Sequence, residues 1–200
     1  DWIGRREEAS DVATLSSVAG MIATLDRDDG APQIGDPLPP LWHWMYFAPR
    51  ERHSGIGPDG HPRRGGFMPP IPLPRRMFAG GRATFHAPIR IGDEVRREGE
   101  ITGVTRKDGR TGELVFVTVG YRILTDRGLA IEEKHDIVYR DAPTPGQQAA
   151  SQAPVKADAR DGDWRRTVAP DPVMLFRYSA LTFNGHRIHY DHPYVTGVEG

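Results

Sequence analysis

The chain contains no cysteine. That absence removes disulfides, thiolate nucleophiles and Cys-type zinc sites together, and it fits a reducing compartment. Long apolar runs are also missing. No stretch approaches the length of a membrane-spanning helix, and the opening Asp1-Trp-Ile-Gly4 carries no apolar core of a secretory signal. Position 1 is not a methionine, so a few residues are expected to precede it. Neither sign of charge dominates. The 26 basic residues stand against 27 acidic ones, which gives no support to a general nucleic-acid role or to a polybasic membrane surface. These absences lead to the expectation of a soluble, cytoplasmic protein with no nucleic-acid and no membrane partner.

Glycine (23) and proline (18) are plentiful, whereas the apolar fraction, 38%, is at the low end of what builds a core. Two hundred residues make one large domain or two small ones. Leu15, Val18, Ile22 and Leu25 recur at helical spacing behind Ser10-Asp11, which predicts a helix from about 10 to 25 capped by those two residues. Residues 26–40 read as loop. Leu41-Trp-His-Trp-Met-Tyr-Phe47 is a buried helix or strand, and the preceding Pro39-Pro40 favour a helix start. Residues 50–81 form a long, Pro- and Gly-rich loop whose apolar side chains predict that it is packed. Strands dominate next: 82–88, 94–106, 113–125 and 129–139, with turns at Lys107-Asp-Gly-Arg-Thr-Gly112 and Asp126-Arg-Gly128. Residues 141–163 lack apolar periodicity and read as a linker. A short strand is expected at 164–168. Asp171 and Pro172 then offer an N-cap and a first-turn proline for a helix running to about Phe183 and ending at Asn184-Gly185.

The segment after that helix carries the chemistry. It sets an amide, Asn184, five residues before an imidazole, His189, on irregular chain that can turn both side chains into one cleft. A neutral imidazole takes a proton from water and an amide holds that water. The pair suits addition of water to an activated double bond, or its reversal. Spacing alone leaves two other readings open. His186, His189 and His192 are simply loop histidines, or, three apart and beside Asp191, they bind zinc. Pro193 works against the continuous helix that would align such ligands.

Tyr178-Ser-Ala-Leu-Thr-Phe-Asn-Gly-His-Arg-Ile-His-Tyr-Asp191 resembles the hydratase motif of MaoC-like hot-dog enzymes, which act on acyl thioesters. That motif reads Gly-Asp, a variable residue, Asn-Pro, an apolar residue, then His. Asn184 falls where the family's catalytic Asp usually stands and His189 falls on the catalytic His. His186 and Arg187 take the Asn and Pro positions. These departures resemble the branch holding mitochondrial type 2 hydroxyacyl-thioester dehydratases and bacterial mesaconyl-C4-CoA (3-methylfumaryl-CoA) and itaconyl-CoA hydratases. Trp2-Ile-Gly-Arg5, residues 35–44, Gly57-Pro-Asp-Gly-His-Pro-Arg-Arg-Gly-Gly-Phe67 and residues 70–81 extend the similarity over nearly the whole chain.

The resemblance implies an α+β, double hot-dog fold, in which antiparallel sheets wrap central helices. Residues 1–140 would be a non-catalytic first hot dog with Leu41–Phe47 as its central helix. Residues 164–200 would begin a catalytic second one, whose remaining helix and strands are expected beyond Gly200, together with the helix N-terminus that stabilises the enolate. The implied activity is reversible, R-specific hydration of an enoyl-CoA thioester. No cofactor and no metal are needed, the acyl-CoA is the partner, and the assembly is a homodimer or higher homo-oligomer. Arg75, Arg76 and Arg187 are candidates for reading a substrate carboxylate, and Tyr178 for lining the cleft. The alternatives are a non-catalytic acyl-thioester binding or assembly protein and a (3R)-hydroxyacyl-ACP dehydratase of fatty acid synthesis.

Overall fold

A computed structural model of the chain describes residues 2–109, 112–141 and 166–199. Five strands form one antiparallel sheet: β1 (Arg6–Val12), β2 (Arg75–Phe85), β3 (Glu94–Gly109), β4 (Gly112–Thr125) and β5 (Gly128–Arg140), in the spatial order β1-β3-β4-β5-β2. The hairpins joining β3 to β4 and β4 to β5 fall at the expected turns. One face of the sheet is internal. Val117, Val119, Tyr121 and Ile123 of β4 alternate toward it, opposite Ile137, His135, Glu133 and Ile131 of β5, as the two-residue period of a strand requires.

Helix α1 (Leu15–Thr24) packs Val18 and Met21 against this face, in a core shared with Ile91, Val95, Ile123 and Ile131. Its cap differs from the expectation. Ser10 and Asp11 lie in β1, paired with Arg96 and Val95, and Thr14 is the N-cap, accepting from Ser17 N–H. Asp11 instead accepts the Phe47 N–H at 2.9 Å.

The expected central helix at Leu41–Phe47 is a single 3-10 turn, Trp42–Met45. The chain enters it at Leu41 with φ 70° and leaves at Phe47 with φ 61°, backbone that does not propagate a helix. It is tied down from the sheet. The Glu133 carboxylate accepts from His43 Nε2 at 2.9 Å and Trp44 Nε1 at 3.0 Å, and His135 Nε2 stands 3.3 Å from its other oxygen. Burial alone would raise Glu133, but the adjacent His135 and the bonds from His43 and Trp44 outweigh it and hold the carboxyl at about 2.

The long loop is packed, as expected, over the other half of the internal face. Leu73 joins Ile101, Val117, Val119 and Tyr139 in a second core, and the Arg64 guanidinium donates to the carbonyls of Ile71, Leu73 and Pro74. Its last residues differ from the expected loop. Arg75 to Gly81 belong to β2, which pairs with β5 through a bulge between Phe78 and Gly80.

Past Asp141, the expected linker lies outside the described residues. Of the strand expected at 164–168, residues 166–168 pair with no strand. Arg166 donates to the carbonyls of Leu25 and Asp26 at the end of α1. Helix α2 (Pro172–Leu181) is capped as predicted, Asp171 Oδ1 accepting Met174 N–H at 2.7 Å. It lies against α1, and Gly20 leaves the room that Leu181 fills: a Cβ there would stand 2.8 Å from Leu181 Cδ2. Among the described residues no helix is long and apolar enough to cross a membrane.

Candidate active site

Helix α2 does not end at Asn184-Gly185. Phe183 takes the left-handed position, with φ 48°. Its N–H donates to Ala180 O at 3.2 Å and that of Asn184 to Ser179 O at 2.8 Å, the paired bonds of a Schellman stop. Asn184 therefore begins the next segment. Its Oδ1 accepts the His186 N–H at 3.1 Å, which leaves its side-chain NH2 as the free donor. A 3-10 turn, Arg187–His189, follows, and a short helical segment, His192–Tyr194, comes next.

The segment is clamped from the other side by residues 57–61 of the long loop. Arg187 N–H donates to Asp59 O at 2.9 Å and its guanidinium to Pro58 O at 3.2 Å. Gly60, at φ +88°, meets Gly185 so closely that a Cβ would lie 1.8 Å from the Gly185 carbonyl oxygen. Tyr190 Oη donates to that same oxygen at 3.1 Å. Gly60→Ala therefore combines backbone strain of about 1–3 kcal/mol with a clash against main chain. Gly65→Ala, at φ +101° with nothing within 4 Å of its Cβ, carries the strain alone. Thermal melts should show a clearly larger fall in Tm for Gly60→Ala; equal falls would mean that the two loops are not held against each other.

This docking gathers three imidazoles. The His61 ring lies 3.8 Å from that of His186, tilted by 38°, and the His186 ring meets that of His189 edge-on at 5.4 Å. Asp59 Oδ2 is 3.0 Å from His61 Nδ1. His186 is 8% exposed. Burial, and then the neighbouring His61 and His189, push it down to about 4, so it is neutral at pH 7. Burial, then the Arg76 cation, lowers His61, against the pull of Asp59. Burial lowers His189 as well. Burial of Asp59 is outweighed by its bonds from His61, which keep it ionised.

Asn184 and His189 thus lie on one clamped segment. Arg76 faces inward from β2 opposite the buried Tyr139, and its charge reaches His61 and His186. Arg75, its neighbour, points to the other face by strand alternation. The Arg187 guanidinium is engaged by Asp191 at 2.8 and 2.9 Å, by Pro58 O and by the Tyr194 ring. Tyr178 is exposed on α2, with its backbone carbonyl engaged by Thr182. His192 starts the helical segment and is exposed. Asp59, His61 and His186 offer one carboxylate and two imidazoles within 4.8 Å. The two rings lie 3.8 Å apart with their planes tilted by 38°. An apolar cleft of about 260 Å³ lined by Leu38, His43, Phe85, Ile89 and Ile131 includes none of these groups.

Sequence reasoning missed Asp59 and His61. The only available signal was a chemistry-bearing Asp-Gly-His in a loop too long to be idle.

A model of the family described as hydroxyacyl-thioester dehydratase type 2 matches residues 41–200. The chain is 54% identical over 199 residues to the mesaconyl-C(4)-CoA hydratase of Chloroflexus aurantiacus, covering all of this chain and 70% of that protein. It is 26% identical over 186 residues to the mitochondrial hydroxyacyl-thioester dehydratase type 2 of Schizosaccharomyces pombe, covering 81% of this chain and 60% of that one. A solved structure described as a putative MaoC domain protein dehydratase, also from Chloroflexus aurantiacus, superposes with a TM-score of 0.55 at 14% identity, over 99% of this chain and 65% of that one. The sheet and its helices are therefore the α+β hot-dog fold. The chain belongs to the hydroxyacyl-thioester dehydratase type 2 family of MaoC-like hydratases, and is a hydro-lyase.

Proposed function

We propose that the protein reversibly hydrates a short, branched, dicarboxylic enoyl-CoA such as mesaconyl-C4-CoA or itaconyl-CoA. The observation that carries this reading is the 54% identity, over the whole chain, to a mesaconyl-C(4)-CoA hydratase. The site supports it. Conjugation with the thioester carbonyl makes the β-carbon of the substrate electrophilic. His189, the open imidazole of the cluster, takes a proton from water as its oxygen bonds to that carbon, and Asn184 holds the water through its side-chain NH2. An amide exchanges no proton, so acid/base work falls on imidazole.

The substrate class follows from charge. A carboxylate remote from the thioester calls for a guanidinium, and Arg76 is the cation whose charge reaches the histidine cluster. Arg76→Ala is expected to cut kcat/KM for mesaconyl-C4-CoA by about 10–100-fold, as loss of a charged hydrogen bond does, while crotonyl-CoA changes by less than about threefold. Loss of the enoyl-thioester absorbance measures both. Equal losses on both substrates would sink the carboxylate reading. Running the same assay with the acyl carrier protein thioester decides the handle.

A further inference from the structure

We infer that Asp59 and His61 form a second acid/base dyad of this site, one that carries the proton of the substrate's α-carbon. The inference rests on the hydratase reading above. Hydration moves two protons, one from water and one to the α-carbon. Asn184 can carry neither, and its Oδ1 is already bonded to the His186 N–H. His186 is buried between the other two rings. One further imidazole remains, that of His61, and it has what His189 lacks among the described bonds: an orienting carboxylate.

Asp59 accepts twice from His61, at its backbone N–H (3.1 Å) and at Nδ1 (3.0 Å). An ionised carboxylate only accepts, so the Nδ1 proton is fixed and the Nε2 lone pair is free. The side chain keeps 20% of its surface open. The position is held from outside the loop as well, by the contact of Gly60 with Gly185 and the bond from Arg187 N–H to Asp59 O.

In the dehydration direction, neutral His61 takes the α-proton at Nε2. The C–H electron pair becomes the double bond as the β C–O bond breaks, and the hydroxyl leaves as water with the proton held by His189. Hydration runs the same steps in reverse. After each turnover one proton passes between the two imidazoles through solvent, and both return to their starting forms. The charged groups that shift His61 are Asp59, Arg76 and His189, and the His186 ring lies against it. Asp59 favours its protonated form, and Arg76 and His189 oppose it.

The test uses the full-length protein with a 3-hydroxyacyl-CoA, unlabelled and deuterated at the α-carbon. His61→Gln is expected to lower kcat by about 10²–10⁴-fold, the usual worth of positioned acid/base catalysis, with KM within about threefold and a larger primary isotope effect. Asp59→Asn, which leaves His61 in place, is expected to lower kcat about tenfold, raise the isotope effect in the same sense and move the acid limb of the pH profile downward. A kcat for His61→Gln within about threefold of wild type overturns the dyad. So does a fall in kcat with unchanged isotope effects in both variants, because a structural role would leave the chemical step's share of the rate unaltered. Wild-type protein inactive on every enoyl-CoA sinks the hydratase reading itself, whereas an active wild type with an unaffected His61→Gln sinks only the dyad.

Discussion

His189→Ala is expected to lower kcat for enoyl-thioester hydration by about 10²–10⁴-fold, with KM changed only a few-fold. The expectation follows from what burial does to this imidazole. Burial lowers it below the ordinary histidine value of 6.5, so it is neutral, and able to accept a proton, throughout the physiological range. The sign can be checked: kcat/KM should fall only as pH drops through that lowered value, below 6.5, and not near neutrality. Asn184→Ala should cost less. Its oxygen is engaged by the His186 N–H, so its remaining contribution is one donor to a water, and losing one such bond costs about 0.5–1.5 kcal/mol. Steady-state kinetics on both variants settle the order. A larger loss for Asn184→Ala, or a His189→Ala enzyme within about tenfold of wild type, would overturn the assignment of the base.

Glu133→Ala should destabilise the protein by about 3–5 kcal/mol, the usual consequence of removing one partner of a buried charged network. Glu133 is 5% exposed and His43 3%. Without the carboxylate, the indole N–H of Trp44 and the ring N–H of His43 are left inside without acceptors, and the Trp42–Met45 turn loses its hold on the sheet. Glu133→Gln keeps an acceptor oxygen and should lose roughly half as much. Urea unfolding with linear extrapolation measures both. The pH dependence has a definite sign. The folded carboxyl is held at about 2, below its ordinary 4.5, so its contribution of about 3 kcal/mol is fully present above pH 4.5. It is lost as pH falls toward 2. A wild type whose stability is flat from pH 5 to 3, or a Glu133→Ala variant with an unchanged midpoint, would show that the network holds nothing.

Some elements were readable because their signal is local. The Leu-Val-Phe-Val-Thr-Val run of β4 and the Asp126-Arg-Gly128 turn name a hairpin through side-chain type and turn chemistry. Asp171-Pro172 names the start of α2 through an acceptor oxygen and a fixed φ. Others were hidden because their partners are distant. Arg6–Val12 carries Arg, Glu, Ser and Asp in place of an apolar alternation, and it is a strand because Glu94–Glu100 lies beside it. Arg75–Gly81 follows a run of prolines and contains a glycine pair, yet β5 pairs with all of it except at one bulge. Leu41–Phe47 is apolar enough for a helix. Glu133, far along the chain, fixes the tilt of His43 and Trp44 and leaves room for only one 3-10 turn.

The sequence by itself pointed to Asn184 to His189 as the candidate segment, through its resemblance to a family motif, and it determined the strand meander and the α+β character. These depend on residue type at short spacing, and the chain order contains that information. Only the tertiary structure decided which other groups join the segment. Gly60 and Gly185 approach because neither has a Cβ, and that contact carries Asp59 and His61 against His186. Strand alternation turned Arg76 inward and Arg75 outward, and Arg187 was brought onto Asp191 and Pro58. Proximity between residues far apart in the chain arises from packing, and no local pattern encodes it.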